Sequence, residues 1–377
     1  GLSNRGVIPQ GEGFVVTRAE AAALGLGVIP GLARRIREYR NGRDLTDRPR
    51  DVLVIDTIGL TADDLRRRFP AVFQLLLERL KPERDLVRRK SIRENWWLHA
   101  WSRNTFRPAL DSIPRFIATG QVAKHRVFQF LDASVLPDDK LIAIATSDAF
   151  HHGVLSAAVH VQWSLVSGGR LGIGNDPVYS KSTCFEAFPF PSDDTGLTPA
   201  LADRIRTLAE QLDAHRKARQ AAHETVTLTG VYNVLDKLRR EQLLTDADKA
   251  LHEQGLVSVL RTLHNELDAA VLEAYGWSDL GPVPWADEAA RSAWTEALLE
   301  RLVALNAKRA AEEAQGTVRW LRPEFQNPQQ AAPEAAPTQE AIEMPEADAE
   351  PESAVATKST ASRQPWPAAL PEQMRAV

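Results

Sequence analysis

The chain has 377 residues, 44% hydrophobic and 25% charged, with a formal net charge of −4, enough apolar material for at least two structural units. A single cysteine, Cys184, excludes an internal disulfide and any multi-cysteine zinc site. No apolar run approaches the ~18–20 residues needed to span a bilayer, and these features predict a soluble cytoplasmic protein with no membrane partner.

Charge is segregated along the chain. Residues 31–126 contain 22 Lys+Arg against 12 Asp+Glu, an excess of +10, whereas residues 321–377 contain 4 against 9, an excess of −5. A basic excess of domain size is expected where one surface meets a polyanion; an Arg-rich solvated surface is the competing explanation. The first residues, Gly1-Leu-Ser-Asn-Arg-Gly6, have no signal-peptide character, and the Gly start predicts numbering that begins within a longer product.

In chain order, residues 1–192 read as α+β. Residues 51–56 and 141–146 form short apolar runs typical of buried strands, and residues 115–119 and 127–131 alternate like half-buried strands. Thr61 with Asp64 three residues later predicts a capped helix start, and Pro70 interrupts that helix before it continues over 71–80. Residues 148–166 read as one further helix. Residues 193–326 are almost entirely helical, with 3.6-type apolar spacing over 199–222, 229–243, 256–275 and 287–314, which predicts a bundle of four or five helices. Residues 327–377 are rich in Pro, Ala, Glu and Gln without apolar periodicity, and predict a disordered tail.

Catalytic signals are absent or incomplete. An AdoMet site needs a strand ending in a Gly-rich turn, where backbone approaches cofactor; neither Leu24-Gly-Leu-Gly-Val28 nor Gly168-Gly-Arg-Leu-Gly-Ile-Gly174 has that context. Amino-methylating DNA enzymes carry a Pro-Pro-aromatic motif, and the chain has no Pro-Pro dipeptide; Asn175-Asp-Pro-Val-Tyr179 is a near miss. Asp138-Asp-Lys140 reads as a turn leading into a strand rather than as a nuclease motif. His151 and His152, adjacent near a helix start, point in different directions and lack a third metal ligand.

Binding signals are stronger. Lys81, Arg84, Arg88, Arg89 and Lys90 place five cations in ten residues, followed by Arg93, Trp96, Trp97, Trp101, Arg103 and Arg107. Cations interleaved with aromatic rings suit a surface that tracks a phosphate backbone, although core burial better explains the tryptophans. Arg40, Asn41 and Arg43 occupy one turn, and Arg–guanine and Asn–adenine are the commonest bidentate base contacts. Lys124 and Arg126 offer further phosphate contacts.

The ordered series Gly6-Val-Ile-Pro-Gln-Gly11, Tyr39-Arg-Asn-Gly-Arg-Asp44, Lys81-Pro-Glu-Arg84, Trp96-Trp97, Arg115-Phe-Ile-Ala-Thr119, Lys124-His-Arg126 and Cys184-Phe-Glu-Ala-Phe-Pro-Phe-Pro191 resembles the target-recognition region of MmeI-like class I DNA methyltransferases of type II restriction-modification systems. Leu228-Thr-Gly-Val-Tyr-Asn233, His264-Asn-Glu-Leu-Asp268 and Val318-Arg-Trp-Leu-Arg-Pro323 extend the resemblance through about residue 326. It implies a double-stranded DNA partner and, for the intact enzyme, methyl transfer from S-adenosylmethionine to the exocyclic amine of adenine. The catalytic core lies upstream of this region in the family, so it is expected upstream in the same polypeptide. No cofactor and no catalytic residue are expected in this chain, which alone would be inactive. The resemblance also makes Arg170, Asn175, Asp176 and Tyr179 base-reading candidates and Lys181 a phosphate contact. The competing reading is a protein-interaction or regulatory scaffold with a helical-bundle partner surface.

Overall fold

The computed structural model describes residues 1–171 and 176–328. Apart from residues 327 and 328, the expected disordered tail lies outside the described residues, as does Asn175. The architecture is α+β followed by a helical bundle.

Two small sheets organise the first part. In one, Ser3–Arg5, Leu141–Ile144, Arg115–Gly120 and Gln129–Asp132 lie side by side, all antiparallel. In the other, Val15–Val16, Leu53–Ile55 and Ile36–Arg40 are antiparallel, and Leu136–Pro137 pairs in parallel at the edge. The alternation over 115–119 predicts a half-buried strand, yet Phe116, Ile117 and Ala118 are all buried. Arg115–Gly120 is a central strand covered on both faces, so its alternation carries no solvent face.

Local signals place most helix starts. Thr61 accepts from the Asp64 backbone N–H at 3.1 Å while the Asp64 carboxylate returns to Thr61, a complete capping box. Pro70 opens the helix Pro70–Arg79, where its missing N–H costs nothing. Residues 148–166 are not one helix. They split at the extended Ala157 into Ala149–Ser156 and Ala158–Ser167. The split has a long-range cause: the Asp268 carboxylate accepts from the Ala158 backbone N–H at 2.7 Å and caps the second helix from the bundle.

The bundle contains Pro199–Ala222, Leu228–Arg239, Asp246–Gly255, Val257–Ala274 and Glu288–Ala314. One apolar cluster crosses residue 192: Val127, Val154 and Trp163 share it with Ile205, Leu260 and Leu298. Gly153 makes this contact possible, because a Cβ there would lie 2.6 Å from Ile205 Cγ2. The chain then returns to the first sheet. The buried Arg322 donates to the Ala109 and Ala145 carbonyls, both at 2.9 Å, and to Ser112 Oγ at 3.0 Å. No helix among the described residues is long and apolar enough to cross a membrane.

Candidate nucleic-acid interface

The helix Ala158–Ser167 runs directly into a two-stranded ribbon, Gly169–Leu171 paired antiparallel with Asp176–Val178. Gly168 is required at its base. A Cβ there would sit 2.2 Å from the Val178 carbonyl oxygen and 2.7 Å from that of Ser164, closer than any side chain tolerates. The ribbon hangs on the segment 121–126. Val122 bridges Val178, the Ala123 N–H donates to the Pro177 carbonyl at 3.3 Å, and the Tyr179 N–H donates to the Gln121 carbonyl at 2.7 Å.

Beneath the ribbon lies a buried polar layer. Arg126 donates to Thr119 Oγ1 at 3.1 Å, to the Gly120 carbonyl, and to the Pro177 carbonyl at 3.2 Å. Its guanidinium lies 5.0 Å from the Tyr179 ring centre, and the Tyr179 hydroxyl meets His160 Nε2 at 2.9 Å. Burial pushes the Arg126 guanidinium down to about 10, drives the Tyr179 phenol well above its ordinary range, and holds His160 neutral.

These contacts correct part of the sequence reading. Tyr179 is 1% exposed and cannot reach a base edge; it packs the layer under the ribbon. Arg126 spends its donors on protein oxygens and holds the ribbon rather than a phosphate. Arg84 is 2% exposed and donates to the Pro9 carbonyl at 2.6 Å and the Leu98 carbonyl at 3.3 Å, which fixes it inside the fold.

Arg170 is exposed on the ribbon and Asp176 is half-buried. The register pairs Arg170 with Pro177 and Asp176 with Leu171, so Arg170 and Asp176 lie on opposite faces. A groove floor facing the ribbon meets one of them, not both. Lys181 is half-buried, 3.9 Å from the Glu186 carboxylate, which opposes an approaching phosphate.

Next to the ribbon, chain segments far apart in sequence meet around a cleft of about 300 Å³. Asn41 and Arg43 line it from the short helix Gly42–Thr46, Lys124 and His125 from the segment holding the ribbon, Lys140 from the turn after Pro137, and Thr229 from the bundle. Asn41 accepts from the Arg43 and Asp44 backbone N–H groups at 3.0 and 3.1 Å, so its oxygen caps the helix and does not point outward as an acceptor. Arg40 sits outside the lining and pairs with Glu38. Asn233 Oδ1 accepts from Lys124 Nζ at 2.7 Å and lies 2.9 Å from His125 Nε2. Burial lowers the His125 pKa. Lys140, Thr229 and Asn233 were not candidates from sequence. Lys140 follows two acids in a turn, and the other two lie in the bundle, so only the tertiary fold brings them here.

The basic run of residues 81–93 does not line this cleft. Lys81 pairs with Asp85 at 2.5 Å and Lys90 with Glu94 at 3.7 Å, Arg93 donates to the Val87 carbonyl at 3.1 Å, and Arg89 stacks 5.6 Å from the Trp101 ring centre. Arg88 is exposed. Trp96 is core, Trp97 donates to the Leu60 carbonyl at 2.9 Å, and Arg107 is buried against Asp56.

Among the described glycines of the two glycine-rich segments none forms the strand-to-helix turn expected of an S-adenosylmethionine site, and Gly172 and Gly174 lie outside the described residues. Gly25 and Gly27 end a helix with φ of 93° and 86°, and Gly168–Gly169 open the ribbon rather than a helix after a strand. Among the described residues no three His, Cys, Asp or Glu are grouped to hold a metal. His151 Nδ1 meets Thr146 Oγ1 at 2.8 Å and His152 Nε2 meets the Phe128 carbonyl at 2.9 Å.

Residues 110–192 match the family model described as MmeI, target recognition domain. The span contains the central strand, the holding segment, the ribbon and the Phe-Pro-Phe-Pro segment. Among solved structures, the chain is similar to one titled as the type IIL restriction-modification enzyme MmeI in complex with DNA, with a TM-score of 0.56 and 16% identity over 80% of this chain. The likeness covers 35% of that protein's length. No curated protein matches the chain.

Proposed function

We propose, from the MmeI-type target recognition domain at residues 110–192, that this chain reads a specific sequence in duplex DNA for a restriction-modification enzyme. The observation that carries the reading is the ribbon of Gly169–Leu171 and Asp176–Val178, its first strand exposed, held on a buried layer inside the matched span and flanked by a cationic cleft. Two strands fit the major groove, where each base pair presents its own pattern of donors and acceptors. With one face of the ribbon turned to the groove, Arg170 suits a guanine edge; with the other, Asp176 suits a cytosine amine. Asn175, outside the described residues, suits adenine.

In the intact enzyme this recognition part positions DNA for methylation of adenine N6, with S-adenosylmethionine bound by a catalytic core upstream in the same polypeptide. Here the recognition part spans residues 1–192 and the bundle of residues 193–326 braces it. The chain alone transfers no methyl group.

Fluorescence anisotropy with a mixed-sequence duplex tests the reading. Binding at low salt should weaken as salt rises, with a log–log slope of several units, and selection from random duplexes should yield one enriched site. No duplex binding at low salt would sink it.

A further inference from the structure

We propose that the cleft between the helix Gly42–Thr46, the segment 121–127 and the bundle is a seat for one DNA phosphodiester and its deoxyribose. This rests on the duplex-reading function above. It reassigns Arg43 from base reading to backbone holding, and it adds Lys140 and Thr229 to the interface.

The first ground is the lining. Arg43, Lys124 and Lys140 give it three cations, and no carboxylate residue lines it among the described residues. Asp44, Asp138 and Asp139 border it. Asp44 accepts from the Asn41 backbone N–H at 2.7 Å and is paired with Arg50 at 2.8 Å. Asp138 accepts from the Lys140 backbone N–H at 2.8 Å and from the Tyr39 hydroxyl. Asp139 bonds Lys140 Nζ at 2.9 Å but is itself held by Arg5 at 2.8 Å and lies 3.6 Å from Arg103. The charges of Asp44 and Asp139 are therefore offset from behind by arginines, and Lys140 and Arg43 both remain exposed toward solvent. The walls are otherwise apolar or small, with Val122, Ala123 and Val127, the surface that a sugar ring packs against.

The second ground is that the cleft is built before any ligand arrives. Asn233 gathers Lys124 and His125 on one oxygen. The helix Gly42–Thr46 is fixed to the bundle beyond it, where Arg48 donates to the Glu224 carbonyl at 2.9 Å and Gln220 to the Asp47 carbonyl at 3.0 Å. Thr229 sits in the first turn of the 12-residue helix Leu228–Arg239, whose positive end favours an anion. A phosphate here would touch both the α+β part and the bundle. The third ground is position. Val122 lines the cleft and also bridges Val178 of the ribbon, so a phosphate seated in it fixes the ribbon's depth and register on the duplex.

The test uses the whole chain and a duplex carrying the selected site, with single uncharged methylphosphonates placed one at a time along each strand. One position should weaken binding about tenfold, and that loss should vanish in Arg43→Ala and in Lys140→Ala. Each variant should also reduce the salt slope by about one while keeping the melting temperature. If every methylphosphonate effect adds to the variants' effects, the seat is wrong while duplex reading stands. Displacement of duplex by inorganic phosphate beyond a chloride control of equal ionic strength would make the cleft a free-anion site and overturn the proposal. Absence of any duplex binding would overturn both readings.

Discussion

The Arg126 guanidinium reaches across 51 residues of sequence to donate to the Pro177 carbonyl at 3.2 Å, so a buried cation ties the two-stranded ribbon to the central strand. No carboxylate pairs with it among the described residues; carbonyl and hydroxyl oxygens alone hold the charge. Arg126→Met leaves those buried acceptors without donors, at about 1–3 kcal/mol. A fall in melting temperature and at least a tenfold loss of discrimination between selected and scrambled duplex are expected. Arg126→Lys should not restore discrimination, since one ammonium cannot span the acceptors a guanidinium fork reaches.

Gly168→Ala drives a methyl group into the Val178 and Ser164 carbonyls. The ribbon must shift, and the Cys184 thiol in the core below, 3.3 Å from the added carbon, must give slightly. Sequence-specific affinity should drop tenfold or more with nonspecific affinity retained, measured as anisotropy against selected and scrambled duplexes. Equal losses on both would show that the ribbon does not read sequence.

Asp268 carries a pH signature. Burial lifts its carboxyl to about 6 from 3.8, so the folded state holds a proton that the unfolded chain releases. Stability from this group is complete below pH ~4 and lost as pH rises through ~6, amounting to about 3 kcal/mol at most. Asp268→Asn keeps the acceptor for the Ala158 N–H and removes the titration. Urea unfolding should therefore show the variant gaining on the parent between pH 4 and 7, and a constant difference over that range would contradict the assignment.

The basic run of residues 81–93 separates by burial. Arg84→Ala removes an interior donor to the Pro9 and Leu98 carbonyls and should cost about 2–3 kcal/mol. Arg88→Ala, at an exposed position, should leave the melting temperature within a degree. If both variants melt alike, the placement of Arg84 is wrong.

Much of this was legible in sequence where the determinant is local. The Thr61–Asp64 box, the Pro70 restart and the long helices 199–222 and 288–314 follow from neighbours within four residues. The helix Asp246–Gly255 was missed because it is mostly exposed and only Leu251 packs inward, too thin a stripe to register as a period. The break at Ala157 was invisible because Ser156-Ala-Ala158 contains no breaker; its cap arrives from Asp268. Arginines defeated the reading most. Whether a guanidinium faces solvent or a distant carbonyl is decided by tertiary approach, so Arg84 and Arg126 looked like Arg43 and Arg88. Lys124 was recognisable as a cation, but its neighbours in the cleft were not.

The apolar cluster that crosses residue 192 sets the smallest portable unit of the protein. Excising residues 110–192 would expose Val154, Trp163 and Phe188, which the bundle covers, at roughly 1.5–3 kcal/mol for each side chain. An excised 110–192 fragment is therefore expected to be insoluble unless helices of the bundle travel with it. Substitutions in the ribbon strands Gly169–Leu171 and Asp176–Val178, none of which belongs to that cluster, leave it closed, so the surface the ribbon presents can be changed without reopening the core.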